Sequence, residues 1–426
     1  MSVSHEEADL LVIGSGPAGV SAAAAFGEHG GSAVVVSEDV DRPYQRPPLS
    51  KDHLRGESVD DDLWMDRPES VTFRHGQRVV GLDPRGRTAL LDGGGTVGFA
   101  GCVLATGSEP LTLPVPGGEL PGLLRLRSLA DERLLRSTAA RAGSAVVVGS
   151  GFIGCEAAGS LRALGLDVTV VSAEALPQQD RLGPEAAERI AGWLRDQGVA
   201  LRGGVSVEAL EARGEGFTLR LGGHGELAAD LVLVAAGVRP RVALAAAPDL
   251  TVRTGRVVVD ERMRTSSTHV FAAGDITWAY NPTAGRRLSV EHWGEGLAMG
   301  QVAGICAAGG DAAWGEVPGF WSEIGGRTLK YAAWGDGFDS AALTDHCDGA
   351  FTVWYGRAGV TVGVLTQDAD DDYERGSQLV ASAAPVPPAD YPQREVRRRC
   401  PPARHRPPQS GRRCTTARTP RTRPRA

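Results

Sequence analysis

ADLLVIGSGPAGVSAAAAF, residues 8–26, decides the fold of the first part of this chain. An apolar run ends at Gly14, and Gly14, Gly16 and Gly19 form a G-x-G-x-x-G loop ahead of a run of small residues. In such a loop the first glycine permits a tight turn, the second lets backbone approach a pyrophosphate, and the third lets helix pack on strand. The stretch predicts a strand, a dinucleotide-binding loop that includes Ala18, and a helix.

The pattern occurs a second time in SAVVVGSGFIGCEAAGSLRALG, residues 144–165. Its glycines are Gly149, Gly151 and Gly154, with Ile153 inside the loop. Each copy is followed by another apolar strand, which completes a βαβ unit. Two such units predict two doubly wound α/β domains with mainly parallel sheets, each with its own nucleotide site.

The acid that should hold a ribose hydroxyl differs between the two units. Glu38 closes the second strand of the first unit, 19 residues beyond Gly19. In the second unit Ser172 closes the strand and Glu174 follows two positions later. Either Glu174 reaches the ribose or no carboxylate does. No arginine lies in that turn to hold a 2′-phosphate, since Arg181 is seven residues further on, so we expect NADH, with NADPH as the alternative.

Composition restricts the functional class. No run of 18 apolar residues exists, and the six cysteines are scattered without a C-x-x-C, so we expect a cytoplasmic protein with no membrane span. The nine histidines lack metal-ligand spacing, and we expect no metal. Residues 394–426 hold twelve arginines and one glutamate, which leaves a net charge of −18 on the rest of the chain.

That basic tail, residues 394–426, has too few apolar residues to form a core and is predicted to be disordered. Three interpretations compete for it: a frame-shifted terminus, a basic arm for nucleic acid and a tether for an acidic partner. Its arginine, proline and threonine content favours the frame-shift. We therefore expect no specific nucleic-acid binding.

Eight stretches, taken in order and spacing, carry a resemblance to a known family. They are GSGPAG (14–19), RPYQRPPLSK (42–51), VLATGSEPLTLPVPG (103–117), GSGFIGCE (149–156), AAGVRP (235–240), VFAAGDIT (270–277), VEHW (290–293) and GFWSE (319–323). Together they resemble the FAD-dependent NAD(P)H:ferredoxin reductases of oxygenase systems, the putidaredoxin reductase type. RPPLSK is the most diagnostic stretch, because it replaces the redox-active cysteine pair of the related pyridine nucleotide-disulfide oxidoreductases.

The resemblance implies that the first loop binds FAD and the second binds NAD(P)H. It puts Lys51, Val79, Arg127 and Asp275 beside FAD, and Trp293 near either the isoalloxazine or the nicotinamide. Glu156 and Gly237 are implied to bind the nicotinamide nucleotide. Lys51 and Trp293 are the residues it implies for catalysis. Lys51 is also one of only two lysines in the chain, and a compact ammonium near a flavin could stabilise negative charge.

Some of these residues have structural alternatives. Asp275 could be a helix N-cap, Trp293 a core residue and Glu156 a solvated helix residue. Glu295 and Met299 occupy positions where the family has Asn and Gln, which puts the flavin contacts of that helix in question. We interpret Cys155 as a small packing residue.

The implied architecture is glutathione-reductase-like, with two Rossmann-like domains and a small α+β C-terminal domain. We expect an FAD-binding domain from residues 1–113 and 245–318, an NAD(P)H-binding domain from 114–244 and a C-terminal domain from 319–393. The leading function is hydride transfer from NAD(P)H to FAD and single-electron transfer to a [2Fe–2S] ferredoxin, by a monomer or homodimer. The alternatives are an NAD(P)H oxidase or diaphorase, and a flavin redox sensor resembling apoptosis-inducing factor.

Overall fold

The first glycine loop joins an inner strand of a seven-stranded sheet to the helix that covers it. The structure is a computed structural model that describes residues 5–246 and 249–387. The elements of residues 5–113 are β1 (His5–Ile13), α1 (Pro17–Glu28), β2 (Ala33–Val36), α2 (Asp52–Arg55), α3 (Asp60–Leu63), β3 (Val71–Arg74), β4 (Val79–Asp83), β5 (Thr88–Leu91), β6 (Thr96–Leu104) and β7 (Ser108–Pro110). Six strands are ordered β3-β2-β1-β6-β5-β4, with β3, β2, β1 and β6 parallel. Strand β1 is covered on both faces, which explains its unbroken apolar run.

The second loop begins a separate, wholly parallel sheet. The elements of residues 114–244 are α4 (Leu129–Ala139), β8 (Ser144–Val148), α5 (Phe152–Ala163), β9 (Asp167–Ser172), α6 (Gln179–Asp196), β10 (Ala200–Gly203), β11 (Val207–Arg213), β12 (Gly216–Leu221), β13 (Gly225–Ala229), β14 (Leu231–Val234) and β15 (Val238–Pro240). The parallel sheet has the order β10-β9-β8-β14, and β11-β12-β13 form an antiparallel sheet. Strand β15 pairs with β7, so a two-stranded ribbon links this segment to the first one.

The chain then returns to the first sheet. The elements of residues 249–318 are β16 (Val252–Arg253), β17 (Arg256–Val259), β18 (Val270–Ala272), β19 (Thr277–Asn281), β20 (Arg286–Leu288) and α7 (Trp293–Ala307). Strand β18 pairs in parallel with β6 as the seventh strand of that sheet.

Helices α1 and α7 pack with their backbones close together because α7 has glycine at three successive turns. A Cβ on Gly300 would lie 2.2 Å from the Ala18 carbonyl oxygen, and one on Gly304 would lie 2.2 Å from the Ala22 carbonyl oxygen. At Gly296 it would meet the Pro17 ring at 3.1 Å. A larger side chain at Gly300 or Gly304 would force the two helices apart.

The remaining described residues form a five-stranded antiparallel sheet with one helix. The elements are β21 (Gly319–Ile324), β22 (Arg327–Ala333), β23 (Ser340–Asp345), β24 (Phe351–Arg357), β25 (Val360–Gln367) and α8 (Asp370–Ala381), in the sheet order β21-β22-β25-β24-β23. The predicted fold class is confirmed: two doubly wound α/β units and a smaller α+β unit. The predicted basic tail lies outside the described residues. Within those residues, no helix has the length and apolar character needed to cross a membrane.

Candidate functional site

The first glycine loop is shaped by close backbone approach. Gly14 has φ +113°, and a Cβ on it would lie 2.3 Å from the Ala105 carbonyl oxygen. A Cβ on Gly19 would lie 1.9 Å from the Gly14 carbonyl oxygen. Gly16 is the N-cap of α1, with no side-chain cap and no acidic residue in the first turn. The N–H groups at the start of α1 therefore point out of a loop that admits no side chain at Gly14 or Gly19.

A partly buried cation faces this loop. The ideal Cβ of Gly16 lies 3.7 Å from the Arg46 guanidinium. Burial, and then the charge of Arg127, hold the pKa of Arg46 below its usual value. Arg127 Nε is buried and has no hydrogen-bond partner among the described residues. A glycine cradle, a helix N-terminus and two guanidinium groups fit the pyrophosphate of a bound dinucleotide.

Glu38 follows β2, as expected for the acid of the first unit. It is about half exposed, forms an ion pair with Arg241, and has Arg78 Nε at 4.0 Å. Ser15 Oγ donates to Ser37 Oγ at 2.8 Å, which ties the glycine loop to the end of β2. Val79 adjoins Arg78 at the start of β4 and is buried in the core.

Arg127 and Asp275, both predicted beside FAD, are brought into direct contact. Arg127 Nη2 donates to Asp275 Oδ2 at 2.7 Å, and the carboxylate side chain is 13% exposed. Gly274 before it has φ +79°, and its ideal Cβ would meet the Ala18 Cβ at 3.0 Å. Asp275 therefore lies on a turn packed against the start of α1, close to the first loop.

The second loop repeats the backbone geometry of the first. Gly149 has φ +112°, and its ideal Cβ lies 2.3 Å from the Ala235 carbonyl oxygen. The ideal Cβ of Gly154 lies 2.3 Å from the Gly149 carbonyl oxygen. Gly151 faces the Gln178 side-chain amide at 3.8 Å. Ile153, in the first turn of α5, is 41% exposed and leaves an apolar surface beside the loop.

Glu174 is held at the second loop. Its carboxylate accepts from the Gln178 N–H at 3.1 Å and from Ser150 Oγ at 3.4 Å. Arg202, on the neighbouring strand β10, lines the same small recess as Glu174. The turn itself holds no arginine, as expected, but sequence reasoning missed Arg202, because strand pairing brings it there.

Gly237 lies beyond the second sheet. It follows β14, is exposed and has φ +103°; its carbonyl accepts from the Leu111 N–H at 2.9 Å. It is thus placed at the start of the β7–β15 ribbon.

Lys51 and Glu156, predicted separately, form one buried ion pair. Lys51 Nζ lies 2.8 Å from Glu156 Oε2, and each residue is 6% exposed. Lys51 Nζ also donates to the Pro47 carbonyl at 2.8 Å. Ser50 Oγ donates to Glu156 Oε2 and Ser322 Oγ to Oε1, each at 2.6 Å. Both side chains are buried and hydrogen-bonded within the protein, so neither the surface-lysine nor the solvated-glutamate alternative holds.

Ser50 and Ser322 were missed, although both lie in the quoted stretches RPPLSK and GFWSE. Trp321, next to Ser322, points the other way along β21 and is 50% exposed. Lys51 Nζ lies 5.0 Å from the centroid of its ring. An exposed aromatic side chain therefore adjoins the buried ion pair.

An aromatic cluster lies between the second loop and the C-terminal sheet. Phe320 is 4.6 Å from both Phe152 and His292, measured between ring centroids, and 5.3 Å from Tyr331. Burial, and then the charge of Arg181, lower the pKa of His292 to about 4. Trp293 follows as the first residue of α7 and is partly buried. The predicted catalytic Trp293 is thus adjacent to this cluster.

Glu295 and Met299, which stand where the family has Asn and Gln, contact other side chains and backbone groups of this protein. Glu295 is buried and accepts from Trp314 Nε1 at 2.8 Å and from the Gly319 N–H at 3.2 Å. Thr277 Oγ1 donates to Met299 Sδ at 3.5 Å. Both side chains therefore hold α7 in place. Over the described ranges, no group of three or more His, Cys, Asp or Glu residues could hold a metal ion.

Comparison with known proteins agrees with this geometry. The family model described as pyridine nucleotide-disulphide oxidoreductase matches residues 8–300. The anthranilate 1,2-dioxygenase system ferredoxin–NAD(+) reductase component of Burkholderia cepacia is 33% identical over 88% of this chain and 94% of its own length. Rhodocoxin reductase of Rhodococcus erythropolis is 33% identical over 89% of this chain and 91% of its own length.

Solved structures share the whole architecture. A ferredoxin reductase from Rhodopseudomonas palustris is 28% identical with a TM-score of 0.83, covering 89% of this chain and 96% of its own. The putidaredoxin reductase in a covalent complex with putidaredoxin is 24% identical with a TM-score of 0.84, covering 92% and 98%, and shows the same fold. This chain belongs to the pyridine nucleotide-disulphide oxidoreductase family, within its FAD- and NADH-dependent ferredoxin reductases.

Proposed function

We propose that this protein passes electrons from NADH through FAD to a [2Fe–2S] ferredoxin that feeds an oxygenase. The observation that carries the proposal is the buried Lys51–Glu156 pair. It joins the RPPLSK stretch, where disulfide reductases of this family have their cysteine pair, to α5, which begins at the second glycine loop. With no dithiol in that stretch, the electrons have to leave for an external acceptor.

The proposed FAD residues are those around the first loop, with Arg46 added by the structure. They are Gly14, Gly16, Ala18, Gly19, Glu38, Arg46, Lys51, Val79, Arg127, Asp275 and Trp293. When bound, FAD accepts a hydride and releases electrons singly, which a nicotinamide cannot do. Arg46 and the α1 N-terminus would neutralise its pyrophosphate, and Glu38 would exchange its arginine partner for a ribose hydroxyl.

The proposed NADH residues are Gly149, Gly151, Ile153, Gly154, Glu156, Glu174 and Gly237. Glu174 would accept from the ribose, and the exposed Ile153 would cover an apolar face of the nucleotide. Lys51 would present its ammonium group to the flavin in a setting that excludes water, and Glu156 holds the lysine side chain in orientation. We assign no proton transfer to either residue.

We also propose the domain boundaries given by the sequence. Pairing of β18 with β6 and packing of α7 on α1 support one FAD-binding domain from residues 1–113 and 245–318. The separate parallel sheet supports an NADH-binding domain at 114–244, and the antiparallel sheet a C-terminal domain beginning at 319.

We propose Trp321 as a docking contact for the acceptor, because it is exposed and lies against Lys51. The acceptor protein is a ferredoxin, the proposed location is the cytoplasm, and the proposed state is a monomer or homodimer. Because most of the chain is acidic, docking of an acidic ferredoxin needs local arginines rather than global attraction.

The test is NADH-dependent cytochrome c reduction with a panel of [2Fe–2S] ferredoxins, with oxygen uptake measured in parallel. We expect turnover that requires one ferredoxin and little oxygen uptake. Trp321→Ala should raise the KM for that ferredoxin and leave NADH-dependent ferricyanide reduction unchanged. Rapid oxygen uptake without ferredoxin would identify an oxidase instead. Slow flavin reduction with no turnover on any acceptor would favour a redox sensor.

A further inference from the structure

His53 lies two residues after Lys51, on the short helix α2, and is completely buried. Its Nε2 is 3.0 Å from Asp60 Oδ1, at the start of α3. Its Nδ1 is 3.2 Å from Glu132 Oε2 on α4, and Glu132 is also completely buried. Each ring nitrogen therefore faces a different carboxylate.

The ring contacts join α2 to two other helices. A carboxylate only accepts hydrogen bonds, so the His53 ring is the donor toward Asp60. The Nδ1 contact with Glu132 lacks hydrogen-bond geometry, and Glu132 has the Arg136 guanidinium within ion-pair distance. The ring therefore packs against both carboxylates, while its hydrogen bond goes to Asp60.

The arginines of α4 supply positive charges around the ring. Arg133 Nη2 lies 2.5 Å from Asp60 Oδ2, and Arg136 Nε lies 3.6 Å from Glu132 Oε1. Arg136 Nη1 also donates to the His53 carbonyl at 3.4 Å. Burial raises the pKa of Glu132, while His53 and then Arg136 act in the opposite direction. The cluster thus holds α2 from both α3 and α4.

The other end of the same segment carries the ion pair of the proposed site. Lys51 is the N-cap of α2, and Ser160 Oγ on α5 donates to the Ser50 carbonyl at 2.7 Å. We propose that His53, which lies between Asp60 and Glu132, is a positioning residue that fixes α2 and thereby holds Lys51 against Glu156. The role of Lys51 in flavin reduction, though not the His53 contacts, rests on the proposed function.

The direct test is amide hydrogen exchange of α2 in FAD-loaded full-length protein, compared between wild type and His53→Gln. We expect the amides of residues 52–55 to exchange at least about tenfold faster in His53→Gln. In stopped-flow experiments, His53→Gln should slow flavin reduction by NADH about tenfold, with FAD content and the NADH concentration at half-saturation unchanged. Glu132→Gln should slow it similarly, and the double variant no further.

His346→Gln is the matched control, because His346 also contacts a carboxylate, Asp372, but lies in the C-terminal sheet. It should reduce its flavin at the wild-type rate. A His53→Gln protein whose α2 amides exchange as slowly as in wild type, or whose flavin is reduced as fast, would overturn the inference while leaving the proposed function intact. Wild-type protein that NADH does not reduce would refute the proposed function instead, and the exchange result would still decide whether His53 holds α2.

Discussion

The two glycine loops have nearly the same backbone and different electrostatic surroundings. The φ values of Gly14 and Gly149 are +113° and +112°, and both ideal Cβ atoms lie 2.3 Å from a carbonyl oxygen. The Ser15–Ser37 contact of 2.8 Å is matched by Ser150–Ser172 at 2.6 Å. The second glycine of the first loop, however, faces the Arg46 guanidinium, where that of the second faces a neutral amide. Under the proposed function each backbone forms a dinucleotide site, and we expect the facing side chain to decide whether the ligand stays bound or exchanges.

The largest expected effect comes from closing each loop with one methyl group. Gly19→Ala should yield protein largely without FAD, because its Cβ meets backbone at 1.9 Å. Gly154→Ala should keep FAD and raise the KM for NADH at least about tenfold. Flavin absorbance per chain and steady-state kinetics measure both. Loss of FAD from Gly154→Ala would show that the loops do not act on separate ligands.

The next test replaces the cation that faces the first loop with a neutral amide, as in the second loop. Arg46→Gln should weaken FAD binding about tenfold to a hundredfold, because a partly buried charge-assisted contact is lost. Flavin fluorescence on titration of the apoprotein measures the Kd. Arg42→Gln is the control, since Arg42 is half exposed and pairs with Asp61 at the surface. Equal Kd values for Arg46→Gln and wild type would remove the electrostatic explanation of tight binding.

Changing Glu174, the acid after the second strand of the second βαβ unit, should give a smaller effect that distinguishes NADH from NADPH. Glu174→Ala should raise the KM for NADH about threefold to tenfold and affect NADPH less, because only the NADH ribose offers it a 2′-hydroxyl. Arg202→Ala should weaken NADPH alone. Steady-state kinetics with both nucleotides measure this. Equal losses for NADH and NADPH in Glu174→Ala would mean that Glu174 does not contact the ribose.

His292, where the second loop meets the C-terminal sheet, should make stability depend on pH. Its folded pKa of about 4 lies below the usual value near 6.5, so the unfolded chain binds an extra proton between these values. Stability should therefore fall as pH is lowered from about 6.5 toward 4. Urea unfolding at pH 7 and 4.5 should show a loss greater in wild type than in His292→Gln by on the order of 2 kcal/mol. Equal losses of stability in wild type and His292→Gln would mean that His292 is exposed to solvent in the folded protein.

The smallest effect is expected at Cys155, the thiol next to the second glycine loop. Cys155 matches Val20 of the first loop, is completely buried, and donates to the Ser150 carbonyl at 3.3 Å. Burial raises the pKa of its thiol. Cys155→Ala, and alkylation of the accessible thiols in wild type, should leave flavin reduction by NADH within about twofold. A large loss on alkylation would put a cysteine in the electron path.

The sequence predicts those features that depend on local spacing. Both loops, the parallel strands and Glu38 follow from patterns within about 30 residues. The Lys51–Glu156 bond does not, because 105 residues separate its partners and only tertiary packing joins them. Arg46 is the first residue of RPPLSK, yet its position in the sequence does not indicate that its side chain faces Gly16. Likewise, Glu295 differs from the family pattern for a reason seen only when Trp314 and Gly319 are placed beside it.

The glycine contacts between α1 and α7 have a mechanical consequence. Because Gly300 and Gly304 leave no side chain between the two backbones, neither helix can slide or roll without a clash, and the pair should move as one rigid body. Trp293 and the first loop then keep a constant separation during turnover. Any closure of the two nucleotide-binding segments has to bend elsewhere, and the three-residue strands β7 and β15 form a narrow connection between those segments. Stiffening that ribbon should slow nucleotide exchange and leave the geometry around the first loop unchanged.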